Sequence, residues 1–597
     1  MNETQLCSGN GGNATREATG GIIFSTDPAD FYYMSLNVPC QTACPAFTNI
    51  PAYIHYLYEG RYGDSYELNR IVNILPGVLG RICSRPCETK CRHGEPELGG
   101  SVNICHIKRA AADFNERGHI PTERLFPPLF KRVCVVGSGP AGLAAAHDLC
   151  TAGIEVTIVE AFDEPGGMLR YGIPEFRLPR AVLATEIDSI LRLGVKLRTG
   201  IRVGVNVSIQ ELLAGYDAVL LAAGCYASRS LDVPGEGLDG VHSGLEFTID
   251  VAQGRSRQVG SRVLVIGAGF TAFDCARLAL RLGADEAAIC IRGIEEEIRV
   301  TGDEIREAKR EGVKIRGLML SRRIIGNGRV EGVEFVRTRL GDVLPDGRRR
   351  REPIEGSEVV LPADSVIVAV GQGAEPIPSP GRKDARGVLS ADERTFRTSV
   401  QNLYATGDFL TGPSTVIEAV AAGRKAAARI TEDLAGKRFS EWTVRMEEAC
   451  PTDRPRAWDL LPRQEMPTVN PVADRFKSPG LEVEIGFRGE EAFEESKRCY
   501  LCHLHYEIDV SRCIYCRYCV DAAPRDCIKL VKDVILNESG AVTGFVETAD
   551  WKEVNAVIID NSRCIRCGEC VRVCPVDCIS VSKVELVERT FRPGYDQ

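Results

Sequence analysis

The stretch Val133–Glu160, VCVVGSGPAGLAAAHDLCTAGIEVTIVE, admits few folds. An apolar run of strand length, Val133–Val136, leads into a G-x-G-x-x-G turn at Gly137, Gly139 and Gly142. A helix-prone segment, Ala141–Leu149, follows, and a second apolar strand, Val156–Val159, ends in Glu160. Each part answers a physical need of a dinucleotide. Gly137 makes the tight turn, Gly139 lets the backbone approach a pyrophosphate, and Gly142 lets helix and strand pack closely. The helix N-terminus turns unpaired N–H groups and a positive dipole end on the phosphates. Glu160 stands where a ribose hydroxyl needs an acceptor. A glycine pattern alone is weak evidence. Set within strand, turn, helix, strand and acid, it specifies a nucleotide-binding βαβ unit.

With 597 residues the chain has room for about four domains. Its 44% hydrophobic and 26% charged residues are those of an ordinary globular protein. A net charge of −9 argues against nucleic acid as the main ligand. No uninterrupted apolar run approaches the roughly 18 residues of a membrane span. Residues 1–20 are polar and glycine-rich, so a flexible start without the apolar core of a signal peptide is expected. The 24 cysteines are the outlier. They cluster at metal-ligand spacings rather than as a disulfide framework, from which a reducing, cytoplasmic setting is expected.

Residues 21–130 have a helical pattern without strand–helix alternation. They carry Cys40 and Cys44 between Pro39 and Pro45, then Cys83-x3-Cys87-x3-Cys91, then Cys105. Thiolates three or four residues apart reach neighbouring irons of one cluster, and zinc, which also takes four thiolates, is the rival. CQTACP, GRICSRPCETKC and the GGSVNI segment together resemble the iron–sulfur domain of the glutamate synthase small-subunit family. That family takes in the flavoprotein ends of dihydropyrimidine dehydrogenase and of ferredoxin-dependent transhydrogenase. Its members carry a further Cys-x2-Cys, within A-x-R-C-L-x-C, upstream of CQTACP, where this chain has FYYMSLNVP.

Past a Pro121–Pro128 linker, the resemblance becomes dense over about residues 130–430. Pro165–Pro174 followed by Arg177-Leu178-Pro179 is nearly the family's GGLLRYGIPxFRLP signature, which implies that Gly167, Met168 and Arg170 lie along FAD. Asp217–Gly224 reads as a strand ending in a glycine turn. Tyr404–Asp408 and Gly412–Ala419 match the closing flavin motif. The match implies Gly407 and Asp408 on the pyrophosphate and ribityl hydroxyls, and Thr415 and Val416 at a helix start aimed at the isoalloxazine.

Between these halves, VLVIGAGFTAFDCARLALRLGA opens a second glycine turn at Gly267 and Gly269, with Ala272 in the third place. Thr271-Ala272-Phe273-Asp274 resembles the family's NTAMD at the NAD(P)H site. The next strand, Ala287–Ile291, ends in Arg292 rather than in a carboxylate. An arginine there suits the 2′-phosphate of NADPH through charge-assisted bonds. Relatives have two adjacent arginines, whereas Gly293 and Glu295–Glu297 follow here, so NADH remains the alternative, as does a solvated strand-end charge.

Near the C-terminus, Cys564, Cys567, Cys570 and Cys574 before Pro575 form a complete bacterial ferredoxin run. The fourth cysteine of each such run ligates the other run's cluster, which assigns Cys574 to Cys513, Cys516 and Cys519. The first run has Ala523 where its own fourth cysteine belongs. Cys527 is the preferred substitute for Cys564, Cys567 and Cys570, against a non-cysteine ligand or a 3Fe-4S cluster. Arg498-Cys499-Tyr500-Leu501-Cys502 looks like the A-x-R-C-L-x-C motif missing from the N-terminal region. The resemblance then implies one cluster on Cys40, Cys91, Cys499 and Cys502 and another on Cys44, Cys83, Cys87 and Cys105. In relatives the last ligand of the second set can be a non-cysteine residue near the position of Lys108. A separate metal, or none, at Cys499 and Cys502 is the alternative.

The expected architecture is multidomain α/β: a helical iron–sulfur domain (21–130), an FAD domain (131–240 and 370–436) and an inserted NAD(P)H domain (241–369). A linker (437–498) and an α+β ferredoxin-like domain with two 4Fe-4S sites (499–597) complete it. The two nucleotide domains are expected to be Rossmann-like. FAD, NADPH or NADH, and four 4Fe-4S clusters are the implied cofactors. The implied function is electron transfer between NAD(P)H and a low-potential one-electron partner, either a ferredoxin or the catalytic subunit of a larger complex in a hetero-oligomer. The alternative is a glutamate synthase small subunit feeding an amidotransferase subunit. No Ser/His/Asp constellation is present, and only 8 histidines occur, which leaves the chemistry to the cofactors.

Overall fold

The apolar runs that flank the first glycine turn lie side by side at the centre of a parallel sheet. The computed structural model describes residues 31–116, 127–255, 258–344, 349–436, 440–536 and 542–590. The expected flexible start and most of the Pro121–Pro128 linker fall outside them. The chain forms two units. The larger takes Pro39–Thr443 with Asp459–Tyr500, and the smaller takes Val444–Trp458 with Leu501–Leu586.

The larger unit begins with short helices: α1 (Pro39–Ala43), α2 (Ile50–Tyr58), α3 (Tyr62–Asn73), α4 (Pro76–Ile82) and α5 (Ile104–Asp113). Asn49 caps α2, its side chain accepting from Ala52 N, and prolines open α1 and α4 where a missing N–H costs nothing. Helices α4 and α5 approach backbone to backbone, since a Cβ on Gly80 would stand 2.7 Å from Arg109 Cα.

A five-stranded parallel sheet follows, built from β1 (Arg132–Val136), β2 (Glu155–Val159), β3 (Lys196–Arg198), β4 (Ala218–Leu221) and, much later, a strand at Leu403–Ala405. Val133 pairs in register with Val156 on one side and Ala218 on the other. Helix α6 (Pro140–Thr151) packs over the sheet, and α7 (Arg180–Leu191) joins it to the N-terminal helices. Glu186 of α7 accepts from Gly77 N at 2.6 Å and Val78 N at 2.9 Å, satisfying the free N–H groups of α4.

The inserted segment forms its own parallel sheet from β5 (Val241–Ser243), β6 (Arg262–Ile266), β7 (Glu286–Cys290), β8 (Lys314–Arg316) and a strand at Ser365–Val368, in the order β5, 365–368, β6, β7, β8. Helix α8 (Phe270–Arg281) runs from its glycine turn, and α9 (Gly302–Arg310) lies beside it. A three-stranded antiparallel excursion, β9 (Met319–Asn327), β10 (Arg329–Val343) and β11 (Arg349–Pro362), extends from this sheet. The strand Leu403–Ala405, labelled β12, returns the chain to the edge of the first sheet beside β4, and the 20-residue α10 (Val416–Ala435) closes that fold.

The stretch expected as a linker contains regular structure. It holds β13 (Ser440–Glu448) and α11 (Gly489–Ser496), and α11 packs on α2 and α5. Arg475 is fully buried and ion-paired to Glu307 at 2.7 Å, which fastens this stretch to the inserted domain.

In the smaller unit, β14 (Leu504–Ile508) pairs with the long β18 (Ile579–Thr590), on whose other side lies β13. A second antiparallel sheet joins β15 (Ile528–Leu536), β16 (Val542–Glu547) and β17 (Ala556–Ile559), with β15 central. Two short helices, α12 (Tyr518–Ala522) and α13 (Glu569–Arg572), carry Cys519 and Cys570 of the two cysteine runs and pack on each other.

Candidate functional site

A cavity of about 470 Å³ opens where the glycine turn after β1 faces the glycine turn after β6. Gly137, Gly139 and Pro140 form one wall, with Glu160, Gly167, Met168 and Gly224 around them. Asp408, Thr415 and Val416 close it from the returning half of the fold, and Phe270, Thr271 and Asp274 line it from the inserted domain. Ile82 and Ser84, the neighbours of Cys83, also reach it.

The glycines do separate work. Gly137 has φ +103°, and a Cβ there would sit 2.5 Å from Ala222 O; a Cβ on Gly142 would sit 2.0 Å from Gly137 O. A Cβ on Gly139 would meet nothing within 4 Å, so it would project into open space beside the start of α6. The vacant side of Gly139, together with the free N–H groups that begin α6 and α10 around one cavity, suits a dinucleotide phosphate. Glu160 is held by Ser138, whose N–H and Oγ lie 2.8 and 2.5 Å from Glu160 Oε2, and by Phe162 N at 2.9 Å from Oε1. Ser138 Oγ also accepts from Gly166 N at 3.1 Å. Sequence reasoning passed over Ser138, the middle residue of the glycine turn. Its closeness to Glu160 follows from the parallel register of β1 and β2.

Of the expected nucleotide-binding residues, Gly142, Arg170, Gly267, Gly269, Ala272, Arg292 and Gly407 do not line the cavity. Arg170 does not line the cavity, because its Nε donates to Pro165 O at 2.8 Å and its guanidinium pairs with Glu164. Ala272 is wholly buried in the core of the inserted domain. Gly407 packs against Ala141, next to Asp408, whose Oδ1 accepts from Ser414 N at 3.1 Å. Burial raises the Asp408 carboxyl against the bonds from Ser414. Asp274 is buried and pairs with Arg177 at 3.0 Å, and burial lifts its carboxyl to about 6 despite that cation. Gly267 and Gly269 make the second turn, while Arg292 stands exposed at the end of β7. Among the described lining residues Cys225 is the one cysteine. Its Sγ donates to Asp408 O at 3.1 Å, and burial pushes its thiol up to about 12, which favours the protonated form.

Next to this cavity the N-terminal thiols gather. Cys44, Cys83, Cys87 and Cys105 are buried around the ammonium of Lys108. Burial lowers that ammonium, but the sulfurs of Cys83, Cys105, Cys44 and Cys87 in their ionised form outweigh it and the net shift is upward. Burial in turn raises Cys83, Cys87 and Cys105, the last to about 12. Helix α1, which carries Cys40, packs against the Glu88–Lys90 turn that Cys87 and Cys91 flank. Arg498 is fully buried and donates to Leu98 O at 3.0 Å, Gly100 O at 2.6 Å and Ser101 O at 3.1 Å. The Tyr500 ring lies 5.0 Å from the His93 ring and 5.9 Å from the Arg92 guanidinium. The half-buried Cys499 is thus bracketed by two side chains bound to the loop that starts at Cys91. Neither Arg498 nor Lys108 was singled out for these contacts from sequence, since both depend on distant packing.

In the smaller unit Cys513, Cys516, Cys519 and Cys574 line one small cavity, with Cys578 beside them. Cys564, Cys567 and Cys570 are buried together, and Cys527 shares a hydrogen bond with Cys564. Cys502 is buried in this unit, its carbonyl accepting from Arg566 at 3.2 Å. Among the described residues no three His, Cys, Asp or Glu side chains are close enough to chelate a single ion. An iron–sulfur cluster takes one thiolate per iron and spreads its ligands more widely. No helix among the described residues is long and apolar enough to cross a membrane.

The chain matches the pyridine nucleotide-disulphide oxidoreductase family over residues 131–423. It matches the dihydropyrimidine dehydrogenase domain II, 4Fe-4S cluster family over 33–120, and the 4Fe-4S dicluster domain over 512–578. It is 37% identical over 508 residues to the NADP(+)-dependent formate dehydrogenase subunit beta of Moorella thermoacetica, covering 79% of this chain and 71% of that one. It is 35% identical to the NADPH-Fe(3+) oxidoreductase subunit beta of Geobacter sulfurreducens, over 78% of this chain and 75% of the relative. Identity to the glutamate synthase [NADPH] small chain of Escherichia coli is 34%, over 66% of this chain and 87% of that one.

Proposed function

The chain belongs to the family of NADPH-dependent iron–sulfur flavoprotein subunits that takes in glutamate synthase small chains, so it is an FAD-, NAD(P)H- and 4Fe-4S-dependent oxidoreductase, and we propose that it carries electrons between NADPH and a low-potential one-electron partner. FAD, when bound, would supply hydride exchange with the nicotinamide and single-electron transfer toward the clusters.

One observation carries the reading: a single cavity is lined by the first glycine turn, by Phe270, Thr271 and Asp274 from the second, and by both neighbours of Cys83. Hydride donor, flavin and first cluster would thus share walls. The chain's own residues do the positioning. Ser138 fixes Glu160 toward the ribose, α6 and α10 present N–H groups to the pyrophosphate, and Arg177 with Asp274 braces the nicotinamide side. Cys225 has no second cysteine beside it among the described lining residues, which supports clusters, not a disulfide, as the electron outlet. Cys44, Cys83, Cys87 and Cys105 would hold the cluster nearest the flavin, Cys40, Cys91 and Cys499 would contribute to another, and Cys513, Cys516, Cys519 and Cys574 to a third. Arg292 favours NADPH over NADH through its 2′-phosphate.

The partner in this reading is a ferredoxin or the catalytic subunit of a hetero-oligomer. Similarity over 87% of a glutamate synthase small chain keeps an amidotransferase partner as the second reading, against which stand the extra cysteine runs at 513–574. Purified protein given NADPH should reduce a viologen in a flavin-dependent assay; failure to do so overturns the reading. Glutamate formation with a glutamate synthase large subunit as sole partner would favour the second.

A further inference from the structure

The two cysteine runs of the smaller unit are related by a repeat that extends past the cysteines. In one half, Cys578 O accepts from Asp509 N at 2.8 Å, and Asp509 O accepts from Cys513 N at 3.0 Å. In the other half, Cys527 O accepts from Asp560 N at 2.7 Å, and Asp560 O accepts from Cys564 N at 3.0 Å. An aspartate therefore bridges each late cysteine to the first cysteine of the facing run. Cys527 stands to Cys564 as Cys578 stands to Cys513.

The halves differ at one chemical position. Cys574 sits four residues before Cys578 and lines the cavity of Cys513, Cys516 and Cys519, with its Sγ 3.5 Å from that of Cys578. Ala523 sits four residues before Cys527 and has no sulfur. Cys564, Cys567 and Cys570, all buried, are left with three thiols for a cluster that takes four. The loop has changed with the residue. Arg525 and Asp526 both adopt left-handed backbone, at φ 64° and 48°, whereas in the matching loop of residues 575–577 only Asp577 does, at φ 47°. Two successive non-glycine residues in that region are uncommon and re-aim the chain that leads to Cys527.

We propose that Cys527 is the fourth thiolate of the cluster held by Cys564, Cys567 and Cys570, taking over the role that Ala523 has vacated. It is buried and within hydrogen-bond reach of Cys564, so its sulfur can bind the cluster iron as its proton is released to solvent. Tyr506 is the oxygen rival near Cys564 and Cys570, but its hydroxyl already accepts from Thr452 N at 3.1 Å. The assignment rests on the proposal that this unit holds two clusters, and the test keeps the two apart.

The full chain is prepared anaerobically and assayed for iron and acid-labile sulfide per polypeptide, and for its electron paramagnetic resonance spectrum after mild oxidation. Cys527→Ala should lose between about one and about four irons, with a new three-iron signal in the first case. Cys578→Ala, at the matching place in the intact half, should lose none. Ala523→Cys combined with Cys527→Ala should regain the wild-type iron and spectrum, and this arm stays informative if the single variant folds poorly. Full iron and an unchanged spectrum in Cys527→Ala, or a Tyr506→Phe variant that alone becomes iron-deficient, overturns the assignment. If Cys564→Ala also keeps all its iron, the cluster itself is absent and the broader reading fails instead.

Discussion

The Arg498 guanidinium donates to the Gly100 carbonyl at 2.6 Å, joining positions 398 residues apart in sequence. The same side chain holds Leu98 O, Ser101 O and Glu495, and it is wholly removed from solvent. A buried arginine is retained only where its donors are matched, and here three of its acceptors are backbone carbonyls of the loop that follows Cys91. The next residue is Cys499.

Cys499→Ala should therefore remove about one cluster's worth of iron, roughly four atoms, from the N-terminal set while leaving flavin content intact. Arg498→Ala, which unpairs several buried groups, should do the same through misplacement and cost about 3–5 kcal/mol of stability. Iron analysis and visible absorbance of the purified variants check both. Unchanged iron and spectrum in the Cys499 variant would return this motif to a packing role.

A second expectation concerns the nicotinamide cofactor. Arg292 is exposed at the end of β7, and a Cβ on its neighbour Gly293 would lie 3.0 Å from Nε of Arg351, which β11 brings across and Glu297 pairs. Two guanidinium groups thus flank one strand end although the sequence has only one arginine there. Arg292→Ala should raise KM for NADPH about tenfold to a hundredfold, the loss of a charge-assisted bond, with little change for NADH. Glu297→Gln should release Arg351 and lower the NADPH KM. Parallel changes for NADPH and NADH in both variants would mean that neither arginine touches the 2′-phosphate.

The flavin pocket yields a third. Ser138→Ala removes one bond to Glu160 and one to Gly166, and weakened flavin retention of about tenfold is expected from loss of a hydrogen bond to a charged group. The N–H of residue 138 persists in that variant, so partial retention is the outcome to look for. Gly142→Ala places a methyl 2.0 Å from Gly137 O and should give flavin-free protein. Flavin absorbance per polypeptide after gel filtration distinguishes the two.

Much of this site could be read from the chain because it is written in local backbone restrictions. Gly137, Gly139 and Gly142 are set by the turn they make, and spacing alone grouped Cys513, Cys516 and Cys519 with Cys574. Where side-chain direction depends on neighbours, spacing said less. Arg170 sits in a flavin motif yet turns back to Glu164 and Pro165, and Ala272 belongs to the helix face that packs inward. The stretch expected as a linker contains β13, which needs β18, about 140 residues on, to form. Lys108 could not be placed among four thiols until α4 and α5 had met at Gly80.

Asp274 supplies a pH dependence. Burial raises its carboxyl to about 6, above the usual 3.8, and Arg177, which lines the cavity, holds it at 3.0 Å. Because the folded value lies above the unfolded one, the native state takes up the extra proton between about 3.8 and 6, and stability contributed by this group falls as pH rises through that window. The functional sign follows from the same proton. Below about 6 the carboxyl is neutral, and Arg177 is left with Glu304, 2.6 Å away, as its counter-charge. Its attraction for an anionic dinucleotide grows, so KM for NADPH should fall as pH drops from 7.5 to 5.5. Asp274→Asn fixes the neutral state and should show the low KM across the range, with the inflection gone. Steady-state viologen reduction at constant ionic strength measures it. An inflection near pH 6 that survives in Asp274→Asn would assign the titration to another group.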